Sequence, residues 1–226
     1  MSSATHSPFP SVTTLADLAR RCPLQAVSAG HVIRDQANAD AAWFIAKGTA
    51  AAERISRDGR RHIAAIFLPG DAAGLSCAML GRADATIRAV SDVEAHVVSA
   101  DDLRRLVADQ PALGGELWRL TLGEAAIART WAANLALQEA RNNLAHLVCE
   151  LGIRFERAGM GTRRCFHHPF TQEHLADMLG LTAIHTNRVI QGLRAEGLLV
   201  YHRKQIEIAH WEELARIAEF DPAYLG

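Results

Sequence analysis

The sequence predicts an α+β chain built in three consecutive parts: an antiparallel strand roll, a long helix, and two short helices closed by a strand hairpin. Three observations predict it. From about Val27 to Ser99, short apolar or alternating runs are separated by turn residues. From Pro111 to about Gln138, apolar residues recur at helical spacing. From Thr171, "TQEHLADMLGLTAIHTNRVIQGLRAEGLLVYHRKQIEIAH" sets two capped apolar stretches around Gly180, followed by two short alternating runs.

In the roll, "HVIRDQ", "AAWFIAKG", "AAERISRDGRRHIAAIFLPGD" and "TIRAVSDVEAHVVS" read as strands. Asp58-Gly59 marks a hairpin because such a turn needs positive φ, and Pro69-Gly70-Asp71 marks another tight turn. Regularly spaced short strands predict an antiparallel barrel or roll over residues 1–110. Ser99 then caps a helix with Asp101 and Asp102 in its first turn, where acidic groups oppose the helix dipole.

The long helix, 111–139, carries two apolar stripes. One is Leu113, Leu117, Leu120, Ile127, Trp131 and Leu135; the other is Trp118, Leu122, Ala125, Ala132 and Ala136. A helix on the outside of a monomer needs one stripe. The second predicts a further partner, and the same helix of a second copy is the simplest one, since twofold dimers are the commonest oligomers.

Residues 140–226 begin with an amphipathic helix whose inner face is Leu144, Leu147, Val148, Leu151 and Phe155. "GMGTRRCFHHPF" then reads as a loop or short strand. Thr171 caps the next helix, with Leu175, Ala176 and Leu179 inward, and Gly180 ends it. Thr182 caps its successor, with Thr186, Val189, Ile190 and Leu193 inward. Two short helices around a glycine turn form a helix-turn-helix, and Gln172, Ala176, Gly180 and Val189 fall where that motif favours them. The strand pair with Arg203-Lys204 at its turn makes a wing.

The outward face of the second helix holds Ile184, Asn187, Arg188 and Gln191, with Ala183 at its edge. Arg pairs with guanine O6 and N7, Asn or Gln with adenine, and an apolar side chain touches a thymine methyl. Thr171, Thr182, His185, Arg203 and Lys204 suit phosphates. The sequence therefore predicts a reader of double-stranded DNA, through a local patch, since the formal net charge is only −1.

Other chemistries find little support. No run of eighteen apolar residues offers a membrane span, and the N-terminus has no signal-peptide pattern, so the expected location is cytoplasmic. Cys22, Cys77, Cys149 and Cys165 are scattered and read as free thiols of a reducing compartment. "GLSCA" lacks the second glycine of a hydrolase elbow. Cys165, His167, His168 and His174 match no familiar metal spacing. Nothing marks an enzyme.

The order of roll, long helix and winged helix-turn-helix resembles the Crp/Fnr family of bacterial transcription regulators, from about residue 24 to 220. The resemblance is carried by "DGRRHIAAIFLPGDAAGL", "IRAVSDVEAHVVSADDLRRL", "NLAHLVCELGIRF" and "LTAIHTNRVIQGLRAEGLL". It implies a cyclic-nucleotide-binding-like jelly roll, a dimerisation helix, and a homodimer on a palindromic operator, with RNA polymerase as a further expected partner.

By the same resemblance, Gly74, Leu75, Arg82, Ala83 and Asp84 are candidates for lining an effector pocket, its small-molecule ligand unknown. Members that bind cyclic AMP carry Gly-Glu where this chain has Gly74-Leu75, and Arg-Ser where it has Ala83-Asp84, with Arg82 one position early. A missing ribose acceptor and a carboxylate at the phosphate site weigh against a cyclic nucleotide. Cys22 alone in its region weighs against an iron–sulfur cluster. Cyclic-AMP-type members place Arg-Glu where this chain has Ala183-Ile184, so only Arg188 matches their reading pattern. The rival expectations are a constitutive DNA binder with a non-sensing roll, and a small-molecule-binding module with a vestigial DNA domain.

Overall fold

The computed structural model describes residues 14–34 and 40–226; the readings of the first thirteen residues and of the end of "HVIRDQ" lie outside them. The chain forms two compact units that interleave along the sequence. One holds the described residues up to Ala52 together with Pro69–Leu122, the other Glu53–Leu68 together with Gly123–Gly226.

Helix α1 (Leu15–Arg21) precedes the roll strands β1 (Leu24–Val27), β2 (Val32–Arg34), β3 (Ala41–Lys47), β4 (Ala50–Ile55), β5 (Arg61–Phe67) and β6 (Ala72–Ala73). Helix α2 (Leu75–Leu80) then separates these from β7 (Thr86–Ala89) and β8 (Val93–Ser99). The strands make two four-stranded sheets, ordered β1-β8-β3-β6 and β2-β7-β4-β5. The pairs β1–β8, β3–β8, β3–β6 and β2–β7 are all antiparallel, as the alternating runs require. The Pro69-Gly70-Asp71 turn is fastened to β3 by bonds from Gly70 N–H to the Ile45 carbonyl (3.0 Å) and from Ile45 N–H to the Asp71 carbonyl (2.9 Å).

Ser99 caps α3 (Ala100–Asp109), its hydroxyl accepting from Asp102 N–H at 3.0 Å. In the first unit, Leu15, Leu18, Phe44, Leu103 and Leu106 share a core with Leu113 and Leu117, from the first turns of α4 (Pro111–Leu137). The two apolar stripes of α4 are not separated cleanly, since Leu120 and Leu135 of the first are exposed and Ile127 is half-buried. Leu113, Leu117 and Trp131 are buried, whereas Trp118 is 68% and Leu122 52% exposed.

In the second unit, α5 (Ala140–Arg157) is buried continuously from Asn143 to Ile153. It is followed by β9 (Gly161–Thr162), β10 (Cys165–His167), α6 (Gln172–Leu179), α7 (Ala183–Ala195), β11 (Leu199–His202), β12 (Gln205–Ile208) and α8 (Trp211–Ile217). A 3-10 turn, Pro222–Leu225, ends the chain. The small sheet runs β11-β12-β10-β9, and Phe155 of α5 meets Phe166 at 5.2 Å and Phe170 at 6.4 Å between ring centres.

One carboxyl group lies at the centre of this unit. Glu150 of α5 is wholly buried. Its Oε2 accepts from the Trp131 indole of α4 (2.8 Å) and the Tyr224 phenol (2.7 Å), and its Oε1 faces Arg154 (3.3 Å). Arg154 in turn donates to the Ile66 carbonyl of β5 at 2.7 Å. Burial and the neighbouring carboxylate push the Tyr224 hydroxyl above its usual pKa, so it remains a donor. Removing one partner of a buried charged set leaves the others desolvated and unpaired. Glu150→Ala is therefore expected to cost about 3–5 kcal/mol, and Tyr224→Phe about 1.5–3 kcal/mol, measured by equilibrium urea unfolding.

Candidate nucleic-acid interface

The two helices of the helix-turn-helix are set by their ends. Thr171 Oγ1 accepts from His174 N–H at 3.1 Å, and Thr171 N–H donates back to His174 Nδ1 at 3.3 Å. This reciprocal cap uses histidine where Glu or Gln is usual. It requires an unprotonated Nδ1, and burial, reinforced by the Arg61 charge, lowers the His174 pKa in that sense. Gly180 ends α6 in the left-handed region (φ +64°), its N–H bonded to the Ala176 carbonyl. Thr182 starts α7 by accepting from His185 N–H at 3.2 Å.

The helical period divides α7 as its sequence predicts on the inner side: Thr186, Ile190 and Leu193 are buried, with Val189 half-buried. On the outer side Ile184 is 77% exposed, and His185, Arg188 and Gln191 are exposed too. Ala183 and Asn187 are half-buried. Asn187 Nδ2 donates to Gln172 Oε1 of α6 at 3.0 Å, a bond across the motif that the sequence reading missed. The Gln191 side-chain Oε1 accepts from Arg194 at 3.2 Å. Arg188 has neither hydrogen bond nor ion pair among the described residues, so its guanidinium stands open to a partner.

The wing is held to the motif's sheet. Arg203, at φ +53°, turns the chain between β11 and β12, and the Lys204 carbonyl accepts from His168 N–H at 2.8 Å. Both wing-tip side chains are exposed, as are Thr171 and Thr182, whose hydroxyls are engaged as caps. Beneath the tip, the His168 ring stacks on Phe170 (5.7 Å) and lies 5.5 Å from Tyr201, with neither ring nitrogen hydrogen-bonded.

A second unforeseen feature fixes α6 from the β4–β5 hairpin. Arg61 Nε donates to Asp177 Oδ2 at 2.7 Å, and His62 Nδ1–H donates to the Asp177 backbone carbonyl at 2.8 Å. Arg61 also lies 3.9 Å from buried Glu53. No motif signals the two bonds to Asp177, because they join residues more than a hundred positions apart.

The remaining candidates are scattered by burial. In the roll, Gly74 and Leu75 are buried, Ala83 is half-buried, and Arg82 and Asp84 are exposed, Asp84 accepting from the Cys77 thiol at 3.7 Å. On α4, Leu120 is exposed while Ala125 and Ile127 are half-buried. All four cysteines are free, and burial pushes the Cys149 thiol up to about 12, where it is inert. Among the described residues, no group of acidic, histidine or cysteine side chains is arranged to hold a metal, and no helix is long and apolar enough to cross a membrane.

A capped two-helix motif with an open outer face and a basic wing tip, preceded by a strand roll and a long helix, defines a DNA-binding regulator with an appended sensor-type domain. Residues 143–217 match the Crp-like helix-turn-helix domain, and residues 24–110 match the cyclic nucleotide-binding domain. The transcriptional activator FnrL of Cereibacter sphaeroides is 27% identical over 180 residues, covering 77% of this chain and 70% of that protein. The CRP-like cAMP-activated global transcriptional regulator of Mycobacterium tuberculosis is 26% identical, covering 79% and 80%. The structure of FixK2 from Bradyrhizobium japonicum superposes with a TM-score of 0.79 at 22% identity, over 86% of this chain and 96% of that one. The chain belongs to the Crp/Fnr family of transcription regulators.

The buried histidine under the wing gives a pH signature. Burial, with the nearby Lys204 charge second, lowers His168 from the usual 6.5 to about 4. The folded chain therefore takes up this proton later than the unfolded chain does. Stability from this group is complete above pH 6.5 and is lost as pH falls toward 4, a loss on the order of 3 kcal/mol. His168→Phe is expected to flatten that part of the curve in urea unfolding measured from pH 7.5 to 4.

Proposed function

We propose that the protein regulates transcription in the cytoplasm as a homodimer bound to a palindromic operator. Each α7 would enter the major groove of one half-site, the two half-sites standing about 34 Å apart along the duplex. The observation that carries this reading is the open Arg188 guanidinium, standing with exposed Ile184 and Gln191 on one face of a capped helix. Arg188 donates in pairs to guanine O6 and N7, Gln191 and Asn187 address adenine, and Ala183 and Ile184 offer apolar contact to thymine methyls. Asn187 keeps α6 and α7 in register through Gln172 and reaches a base only by exchanging that bond. Thr171, Thr182, His185, Arg203 and Lys204 hold phosphates on either side.

Dimerisation falls to the α4 face carrying Trp118, Leu120 and Leu122, with Ala125 and Ile127 beside it, because large apolar side chains left open on a helix invite a partner. Leu113, Leu117 and Trp131 anchor the same helix inside the protein. The roll would sense a small molecule and bias the dimer, and RNA polymerase would be met at the promoter. Leu75 is buried and apolar and Asp84 is acidic, which argues for an effector other than a cyclic nucleotide.

Selection of duplexes from a random pool at about 0.15 M salt, which suppresses non-specific binding, tests the central claim. A palindrome with half-sites one turn apart is expected, and the absence of any consensus with every effector tried counts against it. On that site, Arg188→Ala should cost about 1–3 kcal/mol and relax one base position in each half. The double variant Trp118→Glu, Leu122→Glu should sediment as a monomer while keeping its fold by circular dichroism. A dimer that survives both charges would place the interface elsewhere.

A further inference from the structure

We propose that Gly192 is a positioning residue for DNA binding: the side chain it lacks is what lets the C-terminal half of α7 settle into a major groove. The inference rests on the reading of α7 as the helix that enters DNA, and it says how deeply that helix goes. Gly192 lies inside α7, in its last turn. A glycine inside a helix is less favourable than alanine, because it gives up more backbone freedom on folding. Other glycines of this unit answer to a constraint of the fold. Gly197 takes left-handed backbone, at φ +73°, and a Cβ at Gly152 of α5 would collide with the Arg163 carbonyl. Gly192 answers to neither. Its backbone is helical, it is exposed, and beyond its own turn of helix a Cβ there would meet no atom within 4 Å.

Its place on the helix connects it to the reading face. By the helical period Gly192 falls one turn after Arg188 and nearly two turns after His185, both exposed. Helical side chains lean toward the N-terminus, so a side chain at 192 would cover the turn that carries Arg188. The positions one turn to either side of Arg188 are Ile184, His185, Gln191 and Gly192. None is acidic, and none draws the guanidinium back onto the helix. Beyond Gly192 the same face continues with exposed Ala195, so the second half of α7 meets a partner with little bulk.

Dimensions say why this matters. A helix with its side chains is about 10–12 Å across, and the major groove is about 12 Å wide. One flank of the reading face is held against α6 by the Asn187–Gln172 bond. Clearance must therefore come from the other flank, where Gly192 lies. A bulky side chain there would meet the sugar-phosphate wall first and hold α7 out of the groove. Arg188 and Gln191 would then stop short of the base edges, because hydrogen bonds weaken quickly beyond about 3.2 Å. With that flank bare, the wall can close on the helix backbone, and the second turn of α7 reads bases as well as the first.

The test sets stability against binding in the full-length protein, with Gly192→Ala and Gly192→Leu. Both add a good helix former in open space, so neither should melt below wild type, and the alanine variant should melt higher. The binding probe is the duplex that wild type selects from a random pool, followed by fluorescence anisotropy at about 0.15 M salt. Affinity should fall in the order Gly, Ala, Leu, by roughly tenfold or more for leucine. The salt dependence should keep its slope, since no charge is removed. A protein that grows more stable as it binds more weakly is what a positioning role requires and a structural role does not give. If Gly192→Leu does not fold, Gly192→Ala decides: weakened binding supports the inference and wild-type binding overturns it. A lower melting temperature for Gly192→Ala, or wild-type affinity for a folded Gly192→Leu, also overturns it. Failure of wild type to select any duplex would instead strike the DNA-binding reading, and this inference with it.

Discussion

The carboxylate of Glu150 is the constraint on which the C-terminal half depends. It lies in the middle of the most buried helix of the protein, where an ionised group is tolerated only if its oxygens are occupied. Its partners come from three places in the chain: the end of the long helix, the next turn of its own helix, and the last residues of the polypeptide. Apolar packing alone would accept many small rotations of α4 against α5. Donors that must point at one pair of oxygens accept far fewer, so a costly buried charge converts a greasy contact into a defined angle. His146 extends the arrangement, with Nε2 3.0 Å from the Tyr224 oxygen and its ring 5.0 Å from that of Phe220.

The same economy of orientation governs the reading head. Apart from Gly192, nothing in α7 is unusual in propensity; what distinguishes it is that both ends and its side toward α6 are fixed by polar bonds. Thr182 sets where it begins, and Gln172 holds its first outward turn against α6. The Arg141–Glu196 ion pair joins its C-terminal end to α5. Base recognition needs side chains delivered to within hydrogen-bonding tolerance of a base edge, and a helix fixed at both ends can deliver them from an otherwise solvent-exposed face.

Much of this was legible in the sequence because the signals are local. Caps at Ser99, Thr171 and Thr182, the break at Gly180, the hairpin at Asp58-Gly59 and the inward residues of α5, α6 and α7 each follow from a few neighbouring residues. The interactions that were missed join distant segments. Nothing about Glu150 in "LVCELGIRF" distinguishes it from an ordinary exposed glutamate, and its burial is decided by Trp131 and Tyr224, 19 and 74 residues away. His174 belongs to a Cys/His group with no familiar metal spacing, and its ring serves the start of its own helix, a bond that Glu or Gln at that position would have announced.

The β4–β5 hairpin has a consequence for how such a protein could be taken apart. Its residues lie in the middle of the roll's sequence, yet Glu53–Leu68 belongs to the compact unit that carries the helix-turn-helix. The backbone therefore passes between the two units at three points, near residues 52, 68 and 122, and not once as beads on a string would. A gene fragment beginning at the long helix would leave Asp177 without Arg61 and His62, and Arg154 without the Ile66 carbonyl. Swapping the roll for that of a relative would carry a piece of the DNA-binding half away with it. An exchange of the roll that retains Arg61, His62 and the Ile66 carbonyl keeps the bonds on which Asp177 and Arg154 draw.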